Sequence, residues 1–249
     1  MVDIELLQFP YSPYNEKARW ALELKGLAHR TTNLMPGPHL PRLRKLTGQT
    51  KTPVVCMDGR YVCGSAAIVA AVEELQPEPR LIPQEPALRA RAVEIQHLFD
   101  EDFGPPMRGA VLAAIIPHAD YTAALFSEGQ PAARRFIYRL IFPLARPLIR
   151  KGNAIDTPQQ IQAGIDATQR AFDYVVAHAG PGGYLAGDSF SVADLTAASF
   201  LAAAVDPPHS TMDRPKPRPP SLLAWLERWQ SHPGRQWVLE MYQRHRQKR

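Results

Sequence analysis

Apolar and polar residues alternate with two different periods along the first 50 residues. Residues 4–8, IELLQ, form a short apolar run that is typical of a buried strand. Residues 14–25 place apolar side chains at helical spacing, and Gly26 follows where a glycine can close a helix. The next segments, AHRTTNL and PRLRKLTGQ, predict a second strand and a short helix. The pattern therefore begins with strand, helix, strand and helix.

A β-hairpin is predicted next. The apolar run 54–57 meets Asp58-Gly59, and apolar residues resume directly afterwards. An Asp-Gly pair between two such runs is a strong hairpin signal. With a two-residue loop, Cys56 and Cys63 lie diagonally rather than opposite each other, so we expect no disulfide between them.

The first 78 residues form one predicted domain. A helix over Ser65–Leu75 completes the order β-α-β-α-β-β-α. The proline-rich segment 79–87 cannot continue a helix and predicts a linker. Residues 88–249 lack strand alternation and predict an all-helical second domain. Its expected helices cover residues 87–103, 107–126, 131–150, 158–179, 191–205 and 221–245.

Two segments of the second domain have special composition. Residues 205–220, VDPPHSTMDRPKPRPP, predict a mobile loop near the surface. Residues 134–152, RRFIYRLIFPLARPLIRKG, combine basic and apolar positions. This pattern fits a helix lying on a membrane, but a core helix kinked at Pro143 is the simpler interpretation.

Size, charge and cysteine content narrow the class of protein. A chain of 249 residues with 45% hydrophobic content can bury a substantial core. The net charge of +5 is divided almost evenly, with +2 in residues 1–80 and +3 in the remainder. This even distribution gives no indication of a nucleic-acid partner. Two cysteines, no predicted leader and no apolar run of about 20 residues lead us to expect a cytoplasmic protein without an integral membrane segment.

Four motifs occur together in a recognisable order. SPYN (12–15) occupies a strand-to-helix turn where thioredoxin-fold proteins carry a Cys-Pro-x-Cys-like element, and KTPVV places Pro53 immediately before the third strand. GDSFSVADLTAAS contains a capping box of Ser191 and Asp194, and PSLLAWLERWQSHPG begins a closing helix. The chain thereby resembles the cytosolic glutathione S-transferase family. The resemblance implies an α+β thioredoxin-like N-terminal domain followed by an all-α helical bundle.

Ser12 has two possible roles. As an N-cap before Pro13 it would contribute about 0.5 to 2 kcal/mol to stability and would need no ligand. The resemblance implies instead that its hydroxyl donates a hydrogen bond to the sulfur of glutathione. Lowering a thiol pKa of about 8.5 by two units requires about 2.7 kcal/mol, and one hydrogen bond to a charged group supplies about 1.5 to 3 kcal/mol. The magnitudes are therefore compatible with catalysis.

Neighbouring residues offer alternatives to Ser12. Tyr11 carries a phenol, the group used by the tyrosine-type classes of the family, although there it normally lies nearer the end of the first strand. Tyr14 and Asn15 are weaker candidates, and their structural roles would be a packing aromatic and a first-turn polar residue. The absence of a cysteine from SPYN argues against a dithiol oxidoreductase.

Five further positions are implied to bind glutathione. Pro53 resembles the family's cis-proline, and the backbone of Thr52 would pair with the cysteinyl part of the peptide. Lys51 would reach the glycine carboxylate, or else be a solvated lysine. Ser65 would offer its amide and hydroxyl to the γ-glutamyl carboxylate, because helix N-termini bind anions. Gly64 departs from the family, which usually has an acidic residue there, and this departure removes an expected polar contact.

The pocket for the acceptor substrate, the electrophile, is the part of the implied site that the sequence defines least. Arg19 matches an arginine common in the family's first helix and is interpreted as structural. An acceptor pocket would involve Phe103, Met107, Arg108 and Val111, each of which is equally suited to the core.

The resemblance implies an enzyme that joins the glutathione thiolate to a small apolar electrophile. Glutathione is its co-substrate, no metal is implied, and a two-fold homodimer is expected in which one subunit's first domain faces the other's helices. Two rivals remain open. One is a binding protein on the same fold with a degraded site, which Gly64 favours. The other is a glutathione-dependent isomerase, lyase or dehalogenase with the same thiol site.

Overall fold

The first part of the molecule is an α+β unit in the predicted order. The computed structural model describes residues 2–209 and 211–246 of the chain. The first seven elements are β1 (Ile4–Gln8), α1 (Pro13–Leu24), β2 (Arg30–Asn33), α2 (His39–Thr47), β3 (Val54–Met57), β4 (Arg60–Cys63) and α3 (Ser65–Leu75).

The four strands form one mixed sheet in the order β2-β1-β3-β4. β1 runs parallel to β2 and antiparallel to β3, and β3 pairs antiparallel with β4. The two faces of the sheet contact different hydrophobic clusters, because alternate residues of a strand point to opposite sides. Leu6 and Val55 join the main hydrophobic cluster, while Leu7 and Val54 join a smaller one with Leu43 of α2.

The hairpin has the predicted register. Asp58 and Gly59 both have positive φ angles, of 47° and 83°, as a two-residue turn between twisted strands requires. Cys56 lies opposite Tyr61, and Cys63 lies opposite Val54. Both cysteines are free, in agreement with the prediction.

Helices are the only regular elements in the described residues of the second part. After α3 ends, the next helix begins at Pro86 beyond the proline-rich segment. The domain limits 1–78, 79–87 and 88–249 stay a prediction. The helices are α4 (Pro86–His97), α5 (Gly104–Ile115), α6 (Ala119–Phe126), α7 (Ala132–Gly152), α8 (Pro158–His178), α9 (Val192–Val205), α10 (Pro220–Glu227) and α11 (Pro233–His245).

Helix boundaries differ from the prediction in three places. A π-helical turn, Leu98–Phe103, joins α4 to α5, so the chain stays helical through a position where the sequence suggested a break. The expected helix 107–126 is instead interrupted at 116–118, and the expected helix 221–245 is interrupted before Pro233. Proline is suited to the first turn of a new helix, which explains the restart there.

Helix α9 is the centre of the second part. All 14 of its residues are buried. The predicted capping box is present: the Ser191 side chain caps the helix, and the Ser191 N–H donates to the Asp194 carboxylate at 2.9 Å. Helix α1 packs against α9, so one hydrophobic cluster extends from Trp20 of α1 to Phe200 of α9.

Two segments lie in unexpected environments. The loop 206–219 is not a purely surface loop, because Met212 is fully buried and Arg214 is 3% exposed. The interpretation of α7 as a core helix is wrong, since Tyr138 and Phe142 are its only side chains described as buried. No described helix has both the length and the apolar character needed to cross a membrane.

Candidate active site

Ser12 occupies the N-cap of α1 without using its side chain as a cap. Its backbone is extended, with φ −79° and ψ 130°, and its carbonyl accepts hydrogen bonds from the N–H groups of Asn15 and Glu16 at 3.0 and 2.9 Å. The hydroxyl makes no capping hydrogen bond, and the residue is half-buried. The side chain thus lies at a helix N-terminus, where the helix dipole favours negative charge, without the capping role that serine usually has there.

The phenol of Tyr11 is engaged elsewhere. Its hydroxyl donates a hydrogen bond to the carboxylate of Glu128 and lies 3.3 Å from the carbonyl oxygen of Asp213. Burial, together with the neighbouring Glu128 carboxylate, raises the pKa of Tyr11 well above its usual value. The phenol therefore stays protonated, and its proton is directed toward Glu128.

Two hydrogen bonds gather the other predicted positions near α1. The Asn15 side-chain amide donates to the Thr52 hydroxyl at 3.2 Å, and the Gly64 N–H donates to the Pro53 carbonyl at 2.9 Å. The Thr52–Pro53 peptide bond is cis. These contacts link the start of α1, the loop before β3 and the start of α3 into one region that includes Ser65.

Asn15, a weaker candidate from the sequence, also lies in this region. It is fully buried, and its side-chain oxygen has no hydrogen-bond partner among the described residues. A buried, unpaired amide oxygen is costly in the absence of a ligand or water that can donate to it. Asn15 was a weak candidate because its sequence position shows only a first-turn polar residue, whereas its contact with Thr52 depends on tertiary packing.

Gly64 and Ser65 form the start of α3. Gly64 is the N-cap, with φ 89° and ψ 143°, and Ser65 is the first helical residue and is 5% exposed. No heavy atom lies within 4 Å of the position that a Cβ at residue 64 would take. The backbone conformation rather than crowding therefore favours glycine here.

We expect Gly64→Ala to lower the free energy of unfolding by about 1 to 3 kcal/mol, because L residues are strained at this φ. Urea unfolding measures the change. Gly152→Ala is the matched control: its added Cβ also meets open space, but its φ lies outside the left-handed range. The control is expected to be neutral or stabilising by up to about 1 kcal/mol. Equal losses in the two variants would contradict this explanation of Gly64.

The Lys51 side chain has no described contact with this region. The residue is exposed, and its backbone N–H donates to the side-chain oxygen of Gln49. Its predicted reach toward a carboxylate therefore stays a prediction.

The predicted acceptor-pocket residues are mainly core residues. Phe103, Met107 and Val111 are buried in the main hydrophobic cluster, with at most 8% of their surface exposed. Arg108 is half-buried and lies 5.8 Å from the centre of the Tyr14 ring. This arrangement favours the core interpretation for the three apolar side chains.

One cavity of the molecule lies in the helical second part. It has a volume of about 420 Å³ and opens between residues 118–121 and 217–220. None of the seven predicted site residues lines it. The candidate active site is therefore defined by the contacts around Ser12 rather than by a deep pocket.

Charged residues of α1 are buried beneath this region. Glu16 is fully buried and pairs with the guanidinium groups of Arg19 and Arg246, the latter at 3.0 Å. Burial alone would raise the pKa of Glu16, but the two guanidinium groups lower it to about 2. Lys17 is also fully buried and pairs with Asp100 at 2.7 Å. The sequence does not indicate that these charged side chains are buried. The interpretation of Arg19 as a structural residue agrees with its contacts.

Among residues 2–209 and 211–246, no group of three or more His, Cys, Asp or Glu side chains is arranged to hold a metal ion.

Comparison with known families identifies the class of protein. Residues 6–80 match the family model for the glutathione S-transferase N-terminal domain, and residues 158–228 match the model for the C-terminal domain. The two matches together cover more than half of the chain. The chain belongs to the glutathione S-transferase family, whose members use glutathione as a co-substrate.

Individual relatives agree with this assignment. A probable glutathione S-transferase of Solanum tuberosum is 29% identical over 93 residues, which are 37% of this chain and 43% of that protein. A probable maleylacetoacetate isomerase 1 of Drosophila melanogaster is 36% identical over 69 residues, 28% of each chain. The matched region thus spans less than half the length of these relatives.

Solved structures show the same fold. A crystal structure of a glutathione S-transferase from Rhodospirillum rubrum F11 superposes with a TM-score of 0.61 over 95% of this chain and 91% of that chain, at 21% identity.

Proposed function

We propose that the chain is a glutathione-dependent transferase in which Ser12 stabilises the thiolate of glutathione. The thiol proton leaves to solvent, and the sulfur forms a bond to an electrophilic carbon of a small apolar substrate. The electron pair released at that carbon leaves with a displaced group. Family membership supports the co-substrate.

The observation that carries the proposal is the environment of the Ser12 hydroxyl. It lies at the N-terminus of α1 and makes no capping bond, so it can donate to an anion placed beside the helix end. One hydrogen bond to a charged group contributes about 1.5 to 3 kcal/mol, and the helix dipole adds favourable potential. Together these effects suffice for a pKa decrease of about two units in a bound thiol.

The peptide part of glutathione would be held by the region joined to Ser12. Thr52, whose hydroxyl accepts a hydrogen bond from Asn15 of α1, would pair through its backbone with the cysteinyl part, and the N-terminus of α3 at Ser65 would offer amide donors to a carboxylate. Lys51 would supply a cation for the second carboxylate. Gly64 offers only its backbone, so we expect modest affinity for glutathione.

Retention on immobilised glutathione tests the proposal first. Retained protein that elutes with free glutathione, and that converts an aryl chloride bearing nitro groups into its glutathione thioether, is the expected result. Failure of both measurements would favour the rival class, a binding protein that has kept the fold and lost the site.

A glutathione-dependent isomerase is the second candidate. The 36% identity to a protein named as a probable maleylacetoacetate isomerase favours it. Here the thiolate would add to a carbon–carbon double bond, rotation would follow, and elimination would return the thiolate. Glutathione is therefore not consumed, so measuring its concentration during turnover of a cis-alkene diacid separates isomerase from transferase.

We expect Tyr11→Phe to retain turnover within about threefold of the wild type, because the phenol proton is directed at Glu128. The loss of that hydrogen bond is expected to reduce the free energy of unfolding by about 1 kcal/mol. Steady-state kinetics with glutathione and urea unfolding measure the two effects. A decrease in turnover of tenfold or more would identify Tyr11 rather than Ser12 as the activating residue.

We also propose a two-fold homodimer in the cytoplasm. The family resemblance supports the dimer, and the two free cysteines support a reducing compartment. Light scattering should give twice the 27.8 kDa mass of the chain.

A further inference from the structure

Helix α7 presents an apolar face that the rest of the chain leaves exposed. Six of the 12 large hydrophobic side chains that are exposed in the described part of the chain lie on this one helix. Leu144 is 81% exposed and Leu148 is 75% exposed. The other four are Phe136, Ile137, Leu140 and Ile141. A contiguous apolar patch of this kind marks an interaction surface.

The same helix carries the net positive charge of the protein. The chain has 29 Lys and Arg residues against 24 Asp and Glu residues. Helix α7 contains six of the basic residues and none of the acidic ones, which leaves 23 against 24 for the remainder. The rest of the chain is therefore nearly neutral as a whole, and α7 is a segment of high local positive charge.

Helical geometry separates α7 into three sides. At about 100° per residue, Ile137, Ile141, Leu144 and Leu148 share the exposed apolar side. The basic side lies opposite and contains Arg135, Arg139, Arg146 and Arg150. The third side packs on the molecule through Tyr138 and Phe142, which cluster with Ala123 of α6. The packed side anchors the helix and leaves the other two available.

We propose that α7 docks the protein onto an anionic lipid surface. A helix with an apolar face and a basic face lies in the interface plane, with the apolar side chains among the acyl chains and the cations near the headgroups. Its 21 residues would lie flat over about 31 Å.

Charge complementarity selects this occupant over a second copy of the chain. Pairing α7 with α7 of another copy would bring two basic helices together, and neither helix contains an acidic residue to offset the repulsion. Arg139 and Arg150 are already paired with Asp120 at 2.7 Å and with Asp156 at 3.7 Å. Anionic headgroups would complement the other four cations, and each Lys or Arg near such a surface strengthens binding by about 1 kcal/mol, or about fivefold.

Vesicle flotation with the full-length protein tests the inference. Binding is expected with phosphatidylcholine vesicles that contain phosphatidylglycerol, absent with phosphatidylcholine alone, and weaker at high salt. The double variant Leu144→Ser/Leu148→Ser should reduce binding at least about tenfold, because the exposed leucines insert into the bilayer. Arg134→Gln/Arg135→Gln/Arg146→Gln should also reduce it at least about tenfold.

Two matched variants control for changes elsewhere on the surface. Leu40→Ser/Leu223→Ser removes two leucines that are 42% and 51% exposed on α2 and α10, and Arg42→Gln/Arg44→Gln/Arg228→Gln removes three exposed charges outside α7. Both should bind vesicles like the wild type. Because Leu144 and Leu148 are exposed, their replacement should leave the melting temperature unchanged.

Several results would overturn the inference. They are a lack of binding to anionic vesicles at low salt, equal binding to neutral vesicles, and unaltered binding by both α7 variants. A dimer that dissociates in sedimentation when Leu144 and Leu148 are replaced would show that a second copy covers α7 instead.

Discussion

Ser12→Ala is expected to lower glutathione-dependent turnover at least tenfold while changing the free energy of unfolding by less than about 0.5 kcal/mol. The two effects separate because the hydroxyl makes no capping hydrogen bond, whereas its position at the N-terminus of α1 suits it to stabilise an anion. The measurements are initial rates with an aryl chloride electrophile and urea unfolding of the same samples.

Ser191→Ala is the matched control. Both serines are N-caps, but the Ser191 side chain does cap α9 within a complete capping box. Its removal should cost about 0.5 to 2 kcal/mol of stability, with turnover unchanged once the protein is folded.

The comparison separates capping from catalysis at Ser12. If Ser12→Ala loses stability like Ser191→Ala and keeps its turnover, Ser12 is a cap and the proposed mechanism is wrong. Thiolate stabilisation by Ser12 predicts that the pKa of the bound glutathione thiol rises in the variant. A tenfold loss of turnover with no change in that pKa would therefore also contradict the proposed mechanism.

Glu16→Gln is expected to lower the free energy of unfolding by about 3 to 5 kcal/mol. The carboxylate is fully buried between the guanidinium groups of Arg19 and Arg246. Its replacement removes the carboxylate that pairs with Arg19 and leaves Arg246 with Glu23 as its remaining described partner, in a region that excludes water. Urea unfolding at neutral pH measures the loss.

Asp3→Asn is the control for this substitution. Asp3 also pairs with an arginine, Arg30, but both side chains are more than 60% exposed. An exposed pair contributes about 0 to 1 kcal/mol, so only a small change is expected. Similar losses in the two variants would contradict the importance of burial.

Stability should also depend on pH through Glu16. Its pKa is about 2 in the folded protein and 4.5 in the reference state, so the folded state binds this proton less readily. The contribution of Glu16 is therefore present above pH 4.5 and is lost as the pH falls toward 2. The Glu16→Gln variant should show a shallower loss of stability over that range.

Local signals predicted the first part of the fold well. The Asp58-Gly59 pair defined the hairpin and its register, because both residues tolerate positive φ and a two-residue loop leaves one pairing. The capping box at Ser191 likewise predicted the start of α9, since its partners lie three residues apart. Such features depend on neighbours along the chain and need no knowledge of tertiary contacts.

The sequence was less informative where distant segments meet. A proline-rich composition predicted a surface loop at 206–219, yet Met212 is buried there and Thr211 contacts Glu16 at 3.3 Å. Helix α7 showed the opposite error, because its apolar positions suggested burial in the core, whereas six of its large apolar side chains are exposed.

By itself the sequence determined the order of elements in the first part, the hairpin, the family and the placement of Ser12 at a helix start. The tertiary structure decided that the Ser12 side chain is not a cap, that Tyr11 is held by Glu128, and that Asn15 joins Thr52. The reason is physical: periodicity and turn chemistry act between near neighbours, whereas the environment of a polar side chain is set by groups far away in the chain.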